Sequence, residues 1–240
     1  MILSIDNFFT SEECEQYIQQ SETKSLGNNG GEGIGSSVMQ SRSPTVGKDA
    51  AAKAQRTSTT FYHKYETVPE LMSKASRLLG IPTIHQWEEP QTVRYRKNEK
   101  FTWHLDALGP SEQSSSSGQR TATLLVYLTD LDRNDGGATL FRDLGNATSA
   151  GDCKYLRVQP KKGVALLFFP SAGGIVDCPF DIRTLHCGEV ISNDATCDKW
   201  IAQLWLRQRP YTPTAPPGNR HSDAYPAIAN YCQQHAKKHT

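Results

Sequence analysis

From Gln91 to Arg207 the chain breaks into short segments of strand character separated by turns, and this texture constrains the fold more than any other feature. The segments fall near 91–96, 101–106, 121–128, 137–141, 154–159, 163–169, 184–190 and 199–207. Strands in such a series predict a jelly-roll barrel, which lets a β-rich chain avoid long open edges. The stretch before them is patterned differently. Met1 to Asp6 alternates apolar and polar and predicts a short strand. Thr10-Ser-Glu-Glu13 is a capping box, opening a helix that runs to about Glu22. Thr67-Val-Pro-Glu70 predicts the cap of a second helix, with Leu71, Ala75, Leu78 and Leu79 on its buried stripe and Gly80 ending it. Asn134-Asp-Gly-Gly137 reads as a hairpin turn, and the Gly-rich 27–37 and Ser-rich 111–118 stretches as mobile surface loops. The expected class is α+β, mainly β, with a jelly-roll core buttressed by N-terminal helices. One domain is expected over 1–209: helical support to about 90, the jelly-roll over about 91–209. A Pro-rich tail over 210–240 follows, with a short helix near Ala227 to Lys237.

Composition narrows the function classes. A formal net charge of +1 gives no nucleic-acid footprint. The longest apolar run, Gly163 to Pro170, is too short to span a bilayer. With no signal-peptide pattern ahead of the first element, the chain as written reads as soluble and cytoplasmic; the endoplasmic reticulum lumen stands as the alternative if the natural chain carries a leader. The six cysteines form no C-x-x-C, which argues against structural zinc. One disulfide among Cys178, Cys187 and Cys197 stays open, with reduced thiols preferred. Asn146-Ala-Thr148 matches the glycosylation pattern and matters only in the secretory pathway.

His104-Leu-Asp106 carries the first sign of chemistry. Side chains two apart on a strand share a face, so an imidazole and a carboxylate would converge there. They are two thirds of the 2-His-1-carboxylate set that holds non-haem Fe(II) with open positions. The second histidine must come from a distant strand, and His186 in Arg183-Thr-Leu-His-Cys-Gly188 has the best strand context. His63 and His85 lie in the N-terminal half; His221, His235 and His239 lie in the tail. An iron oxygenase of this type also needs an electron donor such as a 2-oxoacid, whose far carboxylate calls for a buried cation. Lys199, heading the last strand, offers a charge-assisted bond; taken alone it reads first as a solvated strand-end lysine.

Nine stretches, in order, then resemble the prolyl 4-hydroxylases of the Fe(II)/2-oxoglutarate-dependent dioxygenase family. They are Ile5 to Cys14, Arg56 to Phe61, Val93-Arg-Tyr95, His104-Leu-Asp106, Arg120 to Leu128, Gly136 to Phe141, Pro160 to Gly163, His186 and Lys199-Trp200. The resemblance implies a double-stranded β-helix in which His104, Asp106 and His186 bind iron and Lys199 anchors the distal carboxylate of 2-oxoglutarate. It places Tyr95 and Thr139 at hydrogen bonds to that carboxylate. Arg120, Trp205 and Glu88 fall near the peptide substrate, and Arg56 and Ser58 on a mobile loop closing over it. The implied reaction hydroxylates proline at C4 in a peptide or protein with Fe(II), 2-oxoglutarate and O2, releasing succinate and CO2. Ascorbate is a further family expectation. Related halogenases lack the carboxylate, so Asp106 favours hydroxylation.

The chain also departs from the pattern. His186 and Lys199 are 13 positions apart, longer than usual, so a loop at Ser192 to Asp198 must absorb the difference or another residue is the anchor. Phe101 stands where a tyrosine is common, and Cys187 follows the distal histidine where a smaller residue is typical. Two other readings follow: a 2-oxoglutarate oxygenase for another residue or a small molecule, and an inactive jelly-roll that binds Pro-rich peptides. A carbohydrate-binding or cupin-type barrel stands further off.

Overall fold

A computed structural model of the chain describes residues 1–25, 38–42, 54–109, 117–145, 155–171, 180–212 and 230–234. Two antiparallel sheets enclose the interior. In chain order the elements are β1 (Ile2–Ile5), α1 (Ser11–Ser25), β2 (Val38–Arg42), β3 (Thr59–His63), α2 (Pro69–Leu79), β4 (Gln91–Tyr95), β5 (Phe101–His104), β6 (Arg120–Tyr127), β7 (Thr139–Phe141), β8 (Leu156–Val158), β9 (Ala165–Phe168), β10 (His186–Gly188) and β11 (Lys199–Arg207). The larger sheet runs β1-β9-β6-β11-β4-β3-β2 and the smaller β5-β10-β7-β8.

Period-2 alternation sorts the residues of the larger sheet between two cores. On β6, Leu124 and Val126, with Leu128 just past its end, belong to the core beneath the helices, while Leu125 and Tyr127 face the space between the sheets. On β11, Trp200, Ala202, Leu204 and Leu206 pack under the helices, and Ile201 faces inward. Lys199, Gln203, Trp205 and Arg207 share the parity of Ile201, which sets one face of β11 against the barrel interior. Burying a leucine or phenylalanine fully is worth about 1.5–3 kcal/mol.

The helices close the outer face. Thr10 and Glu13 form the expected capping box, Glu13 N–H donating to Thr10 Oγ1 at 3.2 Å and Thr10 N–H to Glu13 Oε2 at 2.8 Å. Cys14, Tyr17 and Ser21, spaced three and four apart, are fully buried. In α2, Leu71, Met72 and Ala75 are buried, and Gly80 ends the helix at φ 65°.

Several expectations change. The stretch before Gln91 is not only helical, since β2 and β3 extend the larger sheet from β4. β3 escapes the pattern because all five residues are buried, which erases alternation. Thr67 does not cap α2: its hydroxyl donates to Lys64 O at 2.8 Å, and Val68 precedes the helix without a side-chain cap. Leu78 lies outside the buried stripe, 40% exposed. Asn134 to Gly137 is no hairpin: a 3-10 turn at Arg133–Asp135 carries the chain from β6 in one sheet to β7 in the other. The strands from β4 onward lie where expected, with tighter ends. Cys14, Cys187, Cys197 and Cys232 are free thiols. Gly27–Ser37, the insert over 111–116, Asn146, Cys153, Cys178, His221, His235 and His239 lie outside the described residues. Of the tail helix, 230–234 is helical, with Tyr231 Oη bonded to Glu13. Among the described residues no helix is long and apolar enough to cross a membrane.

Candidate metal centre and its surroundings

β5 and β10 pair so that His104 and His186 are direct cross-strand partners. Their rings stand 4.2 Å apart between centroids. Asp106 joins them by a different route from the one its spacing suggests. β5 stops at His104, and a bend swings Asp106 inward. His104 Nε2 lies 3.7 Å from Asp106 Oδ1, and His186 Nε2 lies 3.9 Å from Oδ2. One ligand atom from each of the three falls within 4.8 Å of the others.

The orientation of each group follows from its second contact. His104 Nδ1 meets Thr102 O at 2.7 Å, and His186 Nδ1 meets Thr184 O at 2.8 Å. A carbonyl only accepts, so each Nδ1 carries a proton, and each Nε2 is the ring nitrogen turned to the cluster. Burial, then His186, hold the His104 imidazole well below its ordinary pKa, so it is neutral at pH 7. Burial opposes ionisation of Asp106, but the two imidazoles, Arg120 and the Thr123 hydroxyl outweigh it and pull the carboxyl below the usual range. Thr123 Oγ1 donates to Asp106 Oδ2 at 2.8 Å. Two imidazoles and one carboxylate, each held by a further hydrogen bond, are the donor set a ferrous ion takes.

Lys199 is buried, 2% exposed at the first position of β11. Its Nζ lies 5.2 Å from the ring centroid of Tyr95, its partner in register, and 5.8 Å from that of Tyr127. Among the described residues it makes no hydrogen bond or ion pair. Tyr127 Oη donates to Thr139 Oγ1 at 2.8 Å, which draws Thr139 into the same group. The long connection from His186 folds tightly. Ser192 N–H donates to Asp135 O at 2.8 Å, Asn98 N–H to Ile191 O at 2.9 Å, and Ala195 is buried. The extra residues are thereby absorbed before β11 begins. Gly137 is required at this packing: a Cβ there would sit 2.5 Å from Ile191 Cδ1 and 2.7 Å from Leu131 Cδ1, at φ +70°.

The residues assigned to substrate form a rim. Arg120 grips Glu88 with two bonds of 2.7 Å, stacks on Trp205 at 3.8 Å and reaches Asp106 O at 3.3 Å. Arg207 Nη1 donates to the same Glu88 Oε1 at 3.2 Å. Arg56 and Ser58 are buried: Arg56 bridges Phe101 in β fashion, and between them Thr57 N–H donates to Lys100 O at 3.1 Å. Thr123, Tyr127 and Arg207 were not foreseen. Alternation offered the clue, since Thr123 and Tyr127 share the inward face with Leu125, and Arg207 follows Trp205 by two.

A family model for the 2OG-Fe(II) oxygenase superfamily matches residues 90–207. Among curated proteins, the probable prolyl 4-hydroxylase 8 of Arabidopsis thaliana is 30% identical over 219 residues, covering 85% of this chain and 68% of that one. The probable prolyl 4-hydroxylase 9 of the same plant is 28% identical over 216 residues, covering 85% and 67%. Among solved structures, the viral collagen prolyl hydroxylase of Paramecium Bursaria Chlorella virus-1 in its 2OG complex aligns with TM-score 0.59 at 23% identity, over 86% of this chain and 95% of that one. A Trichoplax adhaerens prolyl hydroxylase, in complex with a hypoxia inducible factor peptide fragment, aligns with TM-score 0.58 at 16% identity, over 86% and 83%. At these identities the solved structures speak for the double-stranded β-helix fold alone. The curated relatives and the family model leave one conclusion: the chain belongs to the prolyl 4-hydroxylase family of Fe(II)- and 2-oxoglutarate-dependent dioxygenases.

Proposed function

We propose that this dioxygenase hydroxylates proline at C4 in a peptide or protein, with His104, Asp106 and His186 as its iron ligands and Lys199 as the anchor of 2-oxoglutarate. The observation that carries this reading is the convergence of three oriented ligand atoms within 4.8 Å inside a barrel that also buries an unpaired lysine. When bound, ferrous iron with 2-oxoglutarate supplies the oxidising power that inserts one oxygen atom of O2 into a C–H bond, leaving succinate and CO2.

The chain's own residues then have separate tasks. Thr102 O, Thr184 O and the Thr123 hydroxyl hold the three ligands at fixed angles, so little reorganisation is needed on loading. Lys199 pairs with the distal carboxylate, with Tyr95 and Thr139 in reach of the same end of the cosubstrate. Because the ammonium is already stripped of water, the bond it makes is stronger than one at the surface. Arg120, Glu88 and Trp205 supply the wall on which the peptide lies. The buried Trp205 indole N–H has no acceptor among the described residues and is a donor for a peptide carbonyl. Ser58 is buried and receives a hydrogen bond from Arg56 Nε at 2.9 Å. The domain extends over 1–209, and ascorbate would be a further requirement of turnover.

The test combines purified protein, Fe(II), ascorbate and 2-oxoglutarate with a panel of Pro-rich peptides, reading succinate and peptide mass together. Succinate coupled to a gain of one oxygen on proline is the expected result. Succinate with every peptide unmodified would move the substrate to another residue or a small molecule. No succinate from iron-loaded protein would leave a binding module.

A further inference from the structure

Phe101 and Arg56 do more at this site than their places in the chain suggest. The ring of Phe101 lies 3.6 Å from the imidazole of His104 between centroids, with the planes 16° apart. The guanidinium carbon of Arg56 stands 4.8 Å from the centroid of the same phenyl ring. A ring covered at that stacking distance has no room left on that face, so the cation occupies the other. The order is therefore Arg56, Phe101, His104 and then His186, whose ring is 4.2 Å beyond.

Arg56 is itself fixed. It is 2% exposed, its Nε donates to Ser58 Oγ at 2.9 Å, and its Nη2 donates to Thr60 Oγ1 at 2.9 Å. Its backbone pairs with Phe101, and Lys100 N–H donates to Thr57 Oγ1 at 3.0 Å. A guanidinium spent on neighbouring hydroxyls and on a phenyl face is poorly placed to meet a peptide. It is well placed to press Phe101 onto His104, since cation–π attraction strengthens on desolvation. His104 needs that support because its side chain stays partly open, 18% exposed, while that of His186 is 6% exposed. Its Nδ1 contact to Thr102 fixes one point of the ring, and a flat stack fixes the plane.

We propose that Arg56 and Phe101 are positioning residues which form a column setting the plane of the His104 imidazole, so that Arg56 serves the metal centre rather than the substrate. This rests on His104 being a metal ligand. The same reasoning gives Phe101 a purpose: the ring is used as a flat spacer.

The test is Co(II) titration of the full chain after chelator treatment, followed by visible absorption, which needs no turnover. Arg56→Met and Phe101→Leu should each weaken Co(II) binding by about 10-fold, the scale of outer contacts to metal-bound histidine, and shift the absorption band. Phe101→Tyr, which keeps the ring, should restore both. Wild-type affinity and spectrum in Arg56→Met, together with a raised KM for peptide, would overturn the proposal and return Arg56 to the substrate. If Arg56→Met does not fold, the two Phe101 variants decide: identical Co(II) behaviour in Leu and Tyr rejects the column. His104→Ala is the separate control, and Co(II) binding undiminished there would remove the metal-centre reading itself.

Discussion

The imidazoles of His104 and His186 are each tied through Nδ1 to a backbone carbonyl and Asp106 is tied to Thr123, whereas among the described residues the ammonium of Lys199 has the rings of Tyr95 and Tyr127 near it and no hydrogen-bond partner. The two halves of the site thus prepare for ligands in opposite ways. At the metal half the ordering cost is met during folding, so an ion finds its donors already aimed. At the lysine half a charge is buried without a counter-charge, and folding itself carries the penalty. Burial lowers Lys199 to about 8, and only the more distant Cys187 and Glu189 act against it. A bound dianion supplies what the protein withholds.

The strongest way to break this contrast is to remove a metal ligand. His186→Ala or Asp106→Ala should reduce succinate formation at least about 1,000-fold, because an open ligand position cannot be refilled by a neighbour. The circular dichroism spectrum should stay native. Activity within 10-fold of wild type would dissolve the triad.

Next comes Lys199→Met. Loss of a charge-assisted contact worth about 1.5–3 kcal/mol should raise the 2-oxoglutarate requirement roughly 10–100-fold. Stability should move the other way. The folded pKa lies below the unfolded value of about 10.5, so the penalty is full below pH 8 and is relieved as pH rises towards 10.5. At pH 7 the methionine variant should melt higher, by roughly 2–4 °C for each kcal/mol relieved. A lower melting temperature would mean that the ammonium is compensated after all. The same shift predicts that 2-oxoglutarate binding weakens as pH rises through about 8 in the wild type, a calorimetric titration that Lys199→Met should render flat.

The rim gives a smaller effect. Arg120→Lys replaces a bidentate grip on Glu88 by a point charge and removes the stack on Trp205. The KM for peptide should rise several-fold while Co(II) affinity holds. A loss of Co(II) binding of similar size would show that the Arg120 contact to Asp106 O matters more than its place on the rim. Smallest of all is Thr10→Ala, far from the site, which should cost about 1 kcal/mol of stability through the lost cap and leave kcat unchanged.

Much of this was legible along the chain wherever a short-range rule applies. The capping box at Thr10, the αL glycine at Gly80 and the strands from Gln91 onward each depend on a few consecutive residues. Where the rule needs a neighbour far away, the reading failed. β3 is buried throughout, so its five residues show no alternation, and Asn134 to Gly137 carries turn chemistry that is identical whether the chain folds back or crosses to another sheet. Thr67 had the right residue type for a cap, yet its hydroxyl is taken by Lys64 O.

The site divides along the same line. The sequence by itself determined which donors exist: His104, Asp106 and His186 as the metal set, and Lys199 as a cation heading the last strand. Tertiary structure decided how they meet. Asp106 arrives by a bend after β5 rather than by strand alternation, and the longer route to Lys199 is folded into the interior by Ile191 and Ala195. Arg56 is drawn onto Phe101 instead of standing free at the rim. Residue identity fixes the chemistry a side chain can perform. Direction and partners are set by backbone elements distant in sequence, and only the packed sheets bring those together.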